Sequence, residues 1–176
     1  NEFYAKDTSN KIKAVFDARM KDGKRCSGSI PYGYNRLPSD KQTLVVDPMA
    51  SEVVKRIFLF ANEGKSPRAI AEILTEEKVL IPAAYAKEYH PEQYNGIKFA
   101  DPYIWGISAI RTILSRQEYL GHTVLRKSVS INFKLHKRKT TDEDEQYVFP
   151  NTHEPIISQE LWDSVQKRKK RVNRAA

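Results

Sequence analysis

Cysteine is almost absent from this sequence, which has Cys26 as its single thiol among 176 residues. One thiol excludes a disulfide within the chain and a zinc site built from paired cysteines. The four histidines are scattered, without the HxH or HExxH spacing that brings two imidazoles onto one metal ion. We therefore expect neither a metal ion nor another cofactor.

Signatures of a catalytic site are missing as well. No serine lies in a nucleophile elbow, and no glycine-rich phosphate loop is present. The four carboxylates at residues 142–145 suggest a magnesium site at first, but consecutive residues of an extended loop cannot all point at one ion. We interpret them as a solvated loop and expect the chain to be non-catalytic.

Long apolar runs are also lacking. None approaches the roughly 20 residues that a helix needs to span a bilayer, and the first residues do not have the pattern of a signal peptide. We expect a cytoplasmic protein that has no membrane partner.

Positive charge is what the sequence does have, and it is unevenly placed. Lys and Arg total 30 against 22 acidic residues, which gives a net charge of +8. Residues 41–100 balance eight basic against eight acidic groups, whereas residues 111–139 hold eight basic groups and only Glu118. Such clusters beside a neutral core indicate a polyanionic partner, with nucleic acid first and acidic lipid second. The basic run at 167–174 is either a solvated helix end or a phosphate contact.

The segment 105–116 predicts the helix around which the chain is organised. Its apolar residues recur at helical spacing and predict one buried stripe: Ile107, Ile110, Ile113 and Leu114. The opposite face carries small polar or basic side chains: Ser108, Arg111, Thr112, Ser115 and Arg116. A helix with one apolar, buried face and an opposite face rich in hydrogen-bond donors fits the DNA major groove. The alternative is an ordinary amphipathic helix with a solvated basic face.

The first 34 residues predict a helix followed by a basic, irregular segment. Apolar residues recur at three- and four-residue steps within 2–21, and Gly23 marks the stop. Glycines and a proline then exclude regular structure from 23–34. An extended segment with small residues and basic side chains fits the narrow DNA minor groove. Its candidate DNA contacts are Lys24, Arg25 and Ser27. The alternative is a flexible linker.

The rest of the chain predicts a mainly helical α+β fold with small β hairpins. A hairpin at 35–46 precedes two helices that start at Asp47-Pro48 and Ser66-Pro67, because each pair is an N-cap followed by a first-turn proline. Residues 79–104, rich in tyrosine and proline, predict an irregular insertion. The two helices and the basic third one are typical of a helix-turn-helix, although the insertion replaces its usual short turn.

Beyond the turn at 119–121, two strands are predicted at 122–126 and 146–149, separated by a charged loop. Arg126 ends the first predicted strand, and Lys127 follows it. These two residues complete the candidate DNA contacts. Ser158 predicts the N-cap of a last helix that buries Leu161, Trp162 and Val165.

A series of motifs in chain order is similar to the recombinase domain of the large serine recombinases, in the branch carried by transposons. The early motifs are Gly23-Lys24, Pro31-Tyr32-Gly33-Tyr34, Val45-Val46-Asp47-Pro48, Ile57-Phe58 and Ile70-Ala71-Glu72-Ile73-Leu74. The later ones are Trp105, Ile110, Ile113-Leu114, Tyr119-Leu120-Gly121, Asn151-Thr152-His153-Glu154-Pro155-Ile156-Ile157, Leu161-Trp162 and Val165-Gln166.

The resemblance implies a division of the chain. Residues 1–22 would end the helix that connects to a catalytic serine domain, 23–34 would track DNA, and 35–121 would form the recombinase DNA-binding domain. Residues 122–176 would lead to a zinc-ribbon domain. They would not form that domain themselves, because this chain has no cysteine pair to bind zinc.

The resemblance also implies a function. We expect a DNA-binding piece of a site-specific recombinase that recognises the attachment site and works with other recombinase subunits. One rival is a helix-turn-helix transcription regulator, which predicts a ligand or dimerisation domain elsewhere in the gene. The other rival is a protein-interaction adaptor, which predicts binding that does not depend on DNA sequence.

Overall fold

Helices dominate the residues that the computed structural model describes, which are 2–26, 30–94, 96–132 and 137–175. The helices are α1 (Glu2–Lys21), α2 (Pro48–Asn62), α3 (Pro67–Glu76), α4 (Pro82–Tyr89), α5 (Ile107–Ile113) and α6 (Gln159–Ala175). The strands are β1 (Tyr34–Leu37), β2 (Asp40–Val46), β3 (Thr123–Leu125), β4 (Ser128–Asn132), β5 (Lys137–Thr140) and β6 (Tyr147–Phe149). The predicted class, mainly α with small antiparallel β elements, is confirmed.

Both proline-containing helix starts are confirmed. The Asp47 carboxylate accepts hydrogen bonds from the backbone N–H groups of Met49 at 3.0 Å and Ala50 at 2.9 Å, which caps α2. The Ser66 hydroxyl accepts from Ala69 N–H at 3.2 Å and caps α3. Gly64 adopts φ +96° just beyond α2, a conformation that favours glycine, so this helix also ends where expected.

The core lies where α2, α3, α5 and α6 meet. Its members are almost fully removed from solvent, and they include Val54, Ile57, Phe58, Ile70, Leu74, Ile110, Tyr119, Trp162 and Val165. Leu161, predicted to be buried, is only half-buried and packs against this cluster from outside. Burial of these apolar side chains is the main favourable term that fixes how α5 sits on the domain.

The long insertion is more regular than predicted. Residues 79–104 include α4, which begins because Ile81 is extended and Pro82 occupies the first helical position. Ala84 and Tyr85 are buried, and the Tyr85 hydroxyl donates to the Asp47 carboxylate at 2.8 Å. The prediction of an irregular segment was wrong here because this contact with a distant residue has no local pattern. Residues 97–104 are irregular as expected.

The N-terminal helix α1 has the predicted bounds and is followed by Gly23 at φ +74°. Its apolar side chains Ile12, Val15 and Phe16 are exposed rather than packed on the core. Asp17 ties α1 to the rest of the chain, because it accepts a hydrogen bond from the Tyr147 hydroxyl at 3.2 Å.

The strands form three antiparallel pairs within the described residues: β1 with β2, β3 with β6, and β4 with β5. The first pair confirms the predicted hairpin, and its second strand, β2, starts at Asp40. The strands predicted around residues 123 and 147 are confirmed as β3 and β6. The prediction of a charged loop between them was wrong, since this segment contains β4 and β5. Its charges concealed the strands, whose backbone pairing does not need an apolar face.

No helix among the described residues is long and apolar enough to cross a membrane.

Candidate nucleic-acid interface

Helix α5 is shorter than the predicted segment 105–116. It spans Ile107–Ile113, and the chain then passes into a 3-10 helix, Gln117–Leu120. Ile110, Ile113 and Leu114 are buried as predicted, but Ile107 is 38% exposed. The predicted stripe fails at Ile107, whereas Trp105, two residues earlier, is buried. The Trp105 indole N–H donates to the backbone oxygen of Val79 at 2.9 Å and holds the entry to α5.

The predicted outer face of α5 is confirmed as a surface. Ser108, Arg111, Thr112 and Ser115 are exposed, and Arg116 is half-buried. Glu72 and Glu118 are the acidic residues that we considered as partners of Arg111. Within the described residues, neither forms an ion pair with it. Glu72 contacts Arg68 at 3.0 Å, and Glu118 contacts Lys127. The Arg111 guanidinium therefore keeps its donors available to solvent or to a ligand.

The same face of α5 forms one wall of a groove of about 1160 Å³. Ser108, Thr112 and Arg116 line this wall, and Asn35, Arg36 and Lys41 of the β1–β2 hairpin line another. The sequence provided no reason to place the hairpin beside α5. The basic and hydroxyl side chains among the lining residues suit a phosphodiester backbone, and the acidic residues Asp47 and Glu92 also line the groove.

Helix α6 extends the basic surface. The Lys169 ammonium donates to the Ser115 hydroxyl at 2.7 Å, and the Ser115 hydroxyl in turn donates to the backbone oxygen of Arg111 at 2.7 Å. Ser115 is thus held between two elements, while Lys169 joins the α5 surface. Lys169 belongs to the basic run at 167–174, for which the sequence left a phosphate contact open, but it was not singled out as a site residue. Its position one helical turn beyond buried Val165 was the available signal.

Two candidates from other parts of the chain, Arg25 and Lys127, come together with Arg116 near Glu118. This carboxylate is only 3% exposed, and it accepts a hydrogen bond from the Lys127 ammonium. Burial lowers the pKa of Lys127, while Glu118 opposes that shift and Arg116 and Arg25 add to it. Burial likewise lowers the pKa of Arg25, again opposed by Glu118. We call Arg25, Arg116, Lys127 and Glu118 the Glu118 cluster.

Backbone contacts fix the position of Glu118. Its carbonyl oxygen accepts from the Tyr34 hydroxyl at 3.2 Å and from the imidazole Nε2–H of His153 at 2.8 Å. Gly121 ends the 3-10 helix at φ +84°, and a Cβ at this position would lie 2.5 Å from the backbone oxygen of His153. Glycine is therefore required for this close approach.

The remaining candidates divide into three cases. Arg126 is engaged within the protein, because its guanidinium lies 5.6 Å from the Tyr147 ring centre and donates to the backbone oxygen of Glu145 at 3.2 Å. Lys24 is exposed on the segment that follows α1. Ser27 lies outside the described residues.

Asp47 organises the far side of the groove. Besides capping α2, its buried carboxylate accepts from Asn35 Nδ2 at 2.9 Å and contacts His90 Nε2 at 2.8 Å. Burial alone would raise the pKa of Asp47, but hydrogen bonds from Ala50, Tyr85, His90 and Asn35 outweigh it, and the pKa lies below its ordinary value. The insertion, the hairpin and α2 are thereby joined at one ionised side chain.

Comparisons with known proteins agree with this architecture. A family model described as Recombinase matches residues 48–172. A crystal structure of an LSR–DNA complex is similar with a TM-score of 0.56 and 15% identity, covering 93% of this chain and 38% of that one. A structure concerned with the sequence requirements of the Listeria innocua prophage attP site has a TM-score of 0.55 and 15% identity, with coverages of 92% and 52%. The chain thus spans about two fifths and about half of these proteins.

The structural likeness shows a shared fold. The family match extends over most of the chain and includes α2 to α5 and most of α6. On this basis the chain belongs to the Recombinase family, in agreement with the resemblance to the recombinase domain of the large serine recombinases.

Proposed function

We propose that this chain is the DNA-binding part of a site-specific serine recombinase and that it recognises the attachment site of a mobile element such as a transposon. The observation that carries the proposal is the exposed α5 face, on which Arg111 has no acidic partner among the described residues, beside a groove whose lining includes Arg36, Lys41 and Arg116. The similar solved structures support it, because one is described as a DNA complex and the other concerns an attP site.

In this proposal, phosphate contacts set the position of the chain on duplex DNA and a few side chains read the bases. Arg111 is the foremost reader because its planar fork can pair with guanine N7 and O6, and Ser108 and Thr112 discriminate less. Arg116, half-buried at the edge of the groove, contacts phosphate. Helices α2, α3 and α5 act as an interrupted helix-turn-helix in which α5 enters the major groove.

The proposed division of labour follows the chain. Residues 1–22 form the end of a helix that connects to a catalytic domain, and residues 23–34 follow the minor groove. Residues 35–121 form the DNA-binding domain, while residues 122–176 lead towards a zinc-ribbon domain. Cutting, exchange and religation of DNA through phosphoserine linkages belong to the longer recombinase, acting with other subunits. This chain by itself binds without cleaving.

Binding to matched duplexes tests the proposal. The 176-residue chain is titrated with an attachment-site duplex and with a scrambled duplex, and covalent adducts are sought in denaturing gels. We expect a shifted complex that prefers the attachment site and has no adduct. The control variant Arg68→Ala, which removes an exposed arginine paired with Glu72 on α3, should bind like the parent chain. Equal affinity for both duplexes, or a covalent adduct, would contradict the proposal.

A further inference from the structure

Glu118 has two features that an ordinary surface ion pair lacks. Its carboxylate is buried, and its Oε2 atom has no hydrogen-bond partner among the described residues. Its Oε1 atom accepts from Lys127, whose side chain is 41% exposed, so the pair lies at the border between core and solvent. A buried carboxylate with a free oxygen is costly unless neighbouring cations compensate it.

Those cations come from separate parts of the chain. Arg25 follows α1, Arg116 precedes the 3-10 helix, and Lys127 lies between β3 and β4. Arg25 also has a buried guanidinium nitrogen, Nη1, without a hydrogen-bond partner among the described residues. Arg25 interacts electrostatically with Glu118, Arg116 and Arg36, and the last two line the groove beside α5.

The charge of the cluster is out of balance. One carboxylate faces several cations, so an excess of positive charge stays at the edge of the groove. A buried guanidinium nitrogen without an acceptor is unfavourable, so Arg25 is held at a cost that the charge of Glu118 offsets. The N–H donors of an arginine that remain accessible match the oxygens of a phosphate group. A phosphate group at the solvent-exposed edge of the cluster is therefore the ligand that would balance the charge.

We infer that Glu118 is a positioning residue, which gathers Arg25, Arg116 and Lys127 into a site for one backbone phosphate of duplex DNA. The inference rests on the proposed function, since it assigns a further contact of the same interface. Glu118 itself does not touch DNA.

The inference makes a prediction of unusual sign. Removing an acidic group from a DNA-binding surface ordinarily raises affinity, because electrostatic repulsion from the phosphates is lost. If Glu118 positions the cations, removing its charge lowers affinity instead. It also lowers the dependence of binding on salt, because one phosphate contact fewer releases fewer counterions.

The experiment compares Glu118→Gln with Glu154→Gln in the 176-residue chain. Both variants remove one negative charge, but Glu154 is exposed and Glu118 is buried. Binding to the attachment-site duplex is measured over a salt series, with thermal unfolding to establish that each protein is folded. For Glu118→Gln we expect affinity lower by about tenfold and a slope of log K against log salt that is smaller by about one unit. Glu154→Gln should bind slightly more tightly with an unchanged slope.

A second variant covers the case in which Glu118→Gln does not fold. The double variant Glu118→Gln, Lys127→Met removes both members of the buried ion pair, so that neither charge is left buried alone. This double variant should lose about one unit of salt slope. Arg25→Gln should then lower the slope by less in the double variant than in the parent chain, because the site that holds Arg25 is already lost.

Two results separate failure of the inference from failure of the proposed function. If the parent chain binds DNA and Glu118→Gln behaves like Glu154→Gln, with unchanged slope and equal or higher affinity, the inference is overturned and the proposed function stands. If the parent chain binds no duplex at all, both are overturned.

Discussion

The exposed face of α5 and the Glu118 cluster contain similar residue types in opposite surroundings. Arg111 on α5 is exposed and has no acidic partner among the described residues. Arg25 and Lys127 are partly withdrawn from solvent and arranged around a buried carboxylate. A flexible, solvated arginine can adapt to a base edge, whereas cations held by a buried counterion suit a ligand of constant shape. In the proposed function, base reading and phosphate binding would therefore depend on separate parts of the structure.

The largest expected difference between the two regions is in stability. Lys127→Ala should lower the free energy of unfolding by about 1–3 kcal/mol, because it leaves the Glu118 carboxylate buried without its closest cation. This range lies below that of a fully buried pair, since the Lys127 side chain is 41% exposed. Arg111→Ala should change stability by less than about 0.5 kcal/mol. Urea unfolding of both variants measures the difference, and equal losses would remove the distinction.

Sequence discrimination should separate the regions next. Arg111→Ala should cost about 1–3 kcal/mol on the attachment-site duplex and leave binding to a scrambled duplex nearly intact. Arg116→Ala should weaken both complexes together, because a phosphate contact carries no sequence information. Fluorescence titrations of both variants on both duplexes measure this. If Arg111→Ala weakens the two complexes equally, α5 is not the reader.

The segment after α1 gives a smaller effect. Changing Lys24 and Arg25 together to alanine should weaken binding to all sequences alike and flatten the salt slope by roughly one to two units. Lys24→Ala alone tests the exposed member without disturbing the Glu118 cluster. An unchanged slope in the double variant would make this segment only a tether.

The smallest effect is a pH dependence at His153, which lies beside the Glu118 cluster. Burial lowers the pKa of His153, with Arg25 adding to this and the hydrogen bond to Glu118 opposing it. The folded protein therefore favours the neutral imidazole. Its contribution to stability is present above the ordinary histidine pKa of about 6.5 and is lost as pH falls below that value.

Unfolding free energies measured between about pH 7.5 and pH 5 test this, because that range brackets the ordinary histidine pKa. The variant His153→Gln should show a shallower decline than the parent chain. An identical decline in both would mean that His153 does not contribute. Asp47 affects a separate range, because its lowered pKa confines its loss of stabilisation to strongly acidic solution.

Much of the local structure could be predicted from the sequence by itself. The starts of α2 and α3 depend on a capping side chain and the proline beside it, so the whole cause lies within four residues. The outer face of α5 follows from helical periodicity, which assigns its polar residues to solvent wherever the apolar ones are buried. The motifs in chain order were sufficient to indicate the family, and the family match over residues 48–172 agrees.

Only the tertiary structure decided which candidates act together. Helix α4 is held by the contact between Tyr85 and Asp47, and Ser115 by its bond to Lys169, 54 positions away. The meeting of Arg25, Arg116 and Lys127 at Glu118 likewise depends on how the segment after α1, the 3-10 helix and the β3–β4 connection pack. Caps and periodicity arise from bonds within one or two turns, and a sequence displays them directly. Contacts between distant segments arise from burial of a shared core, which any apolar residue of suitable size supports, so their geometry has no local signature.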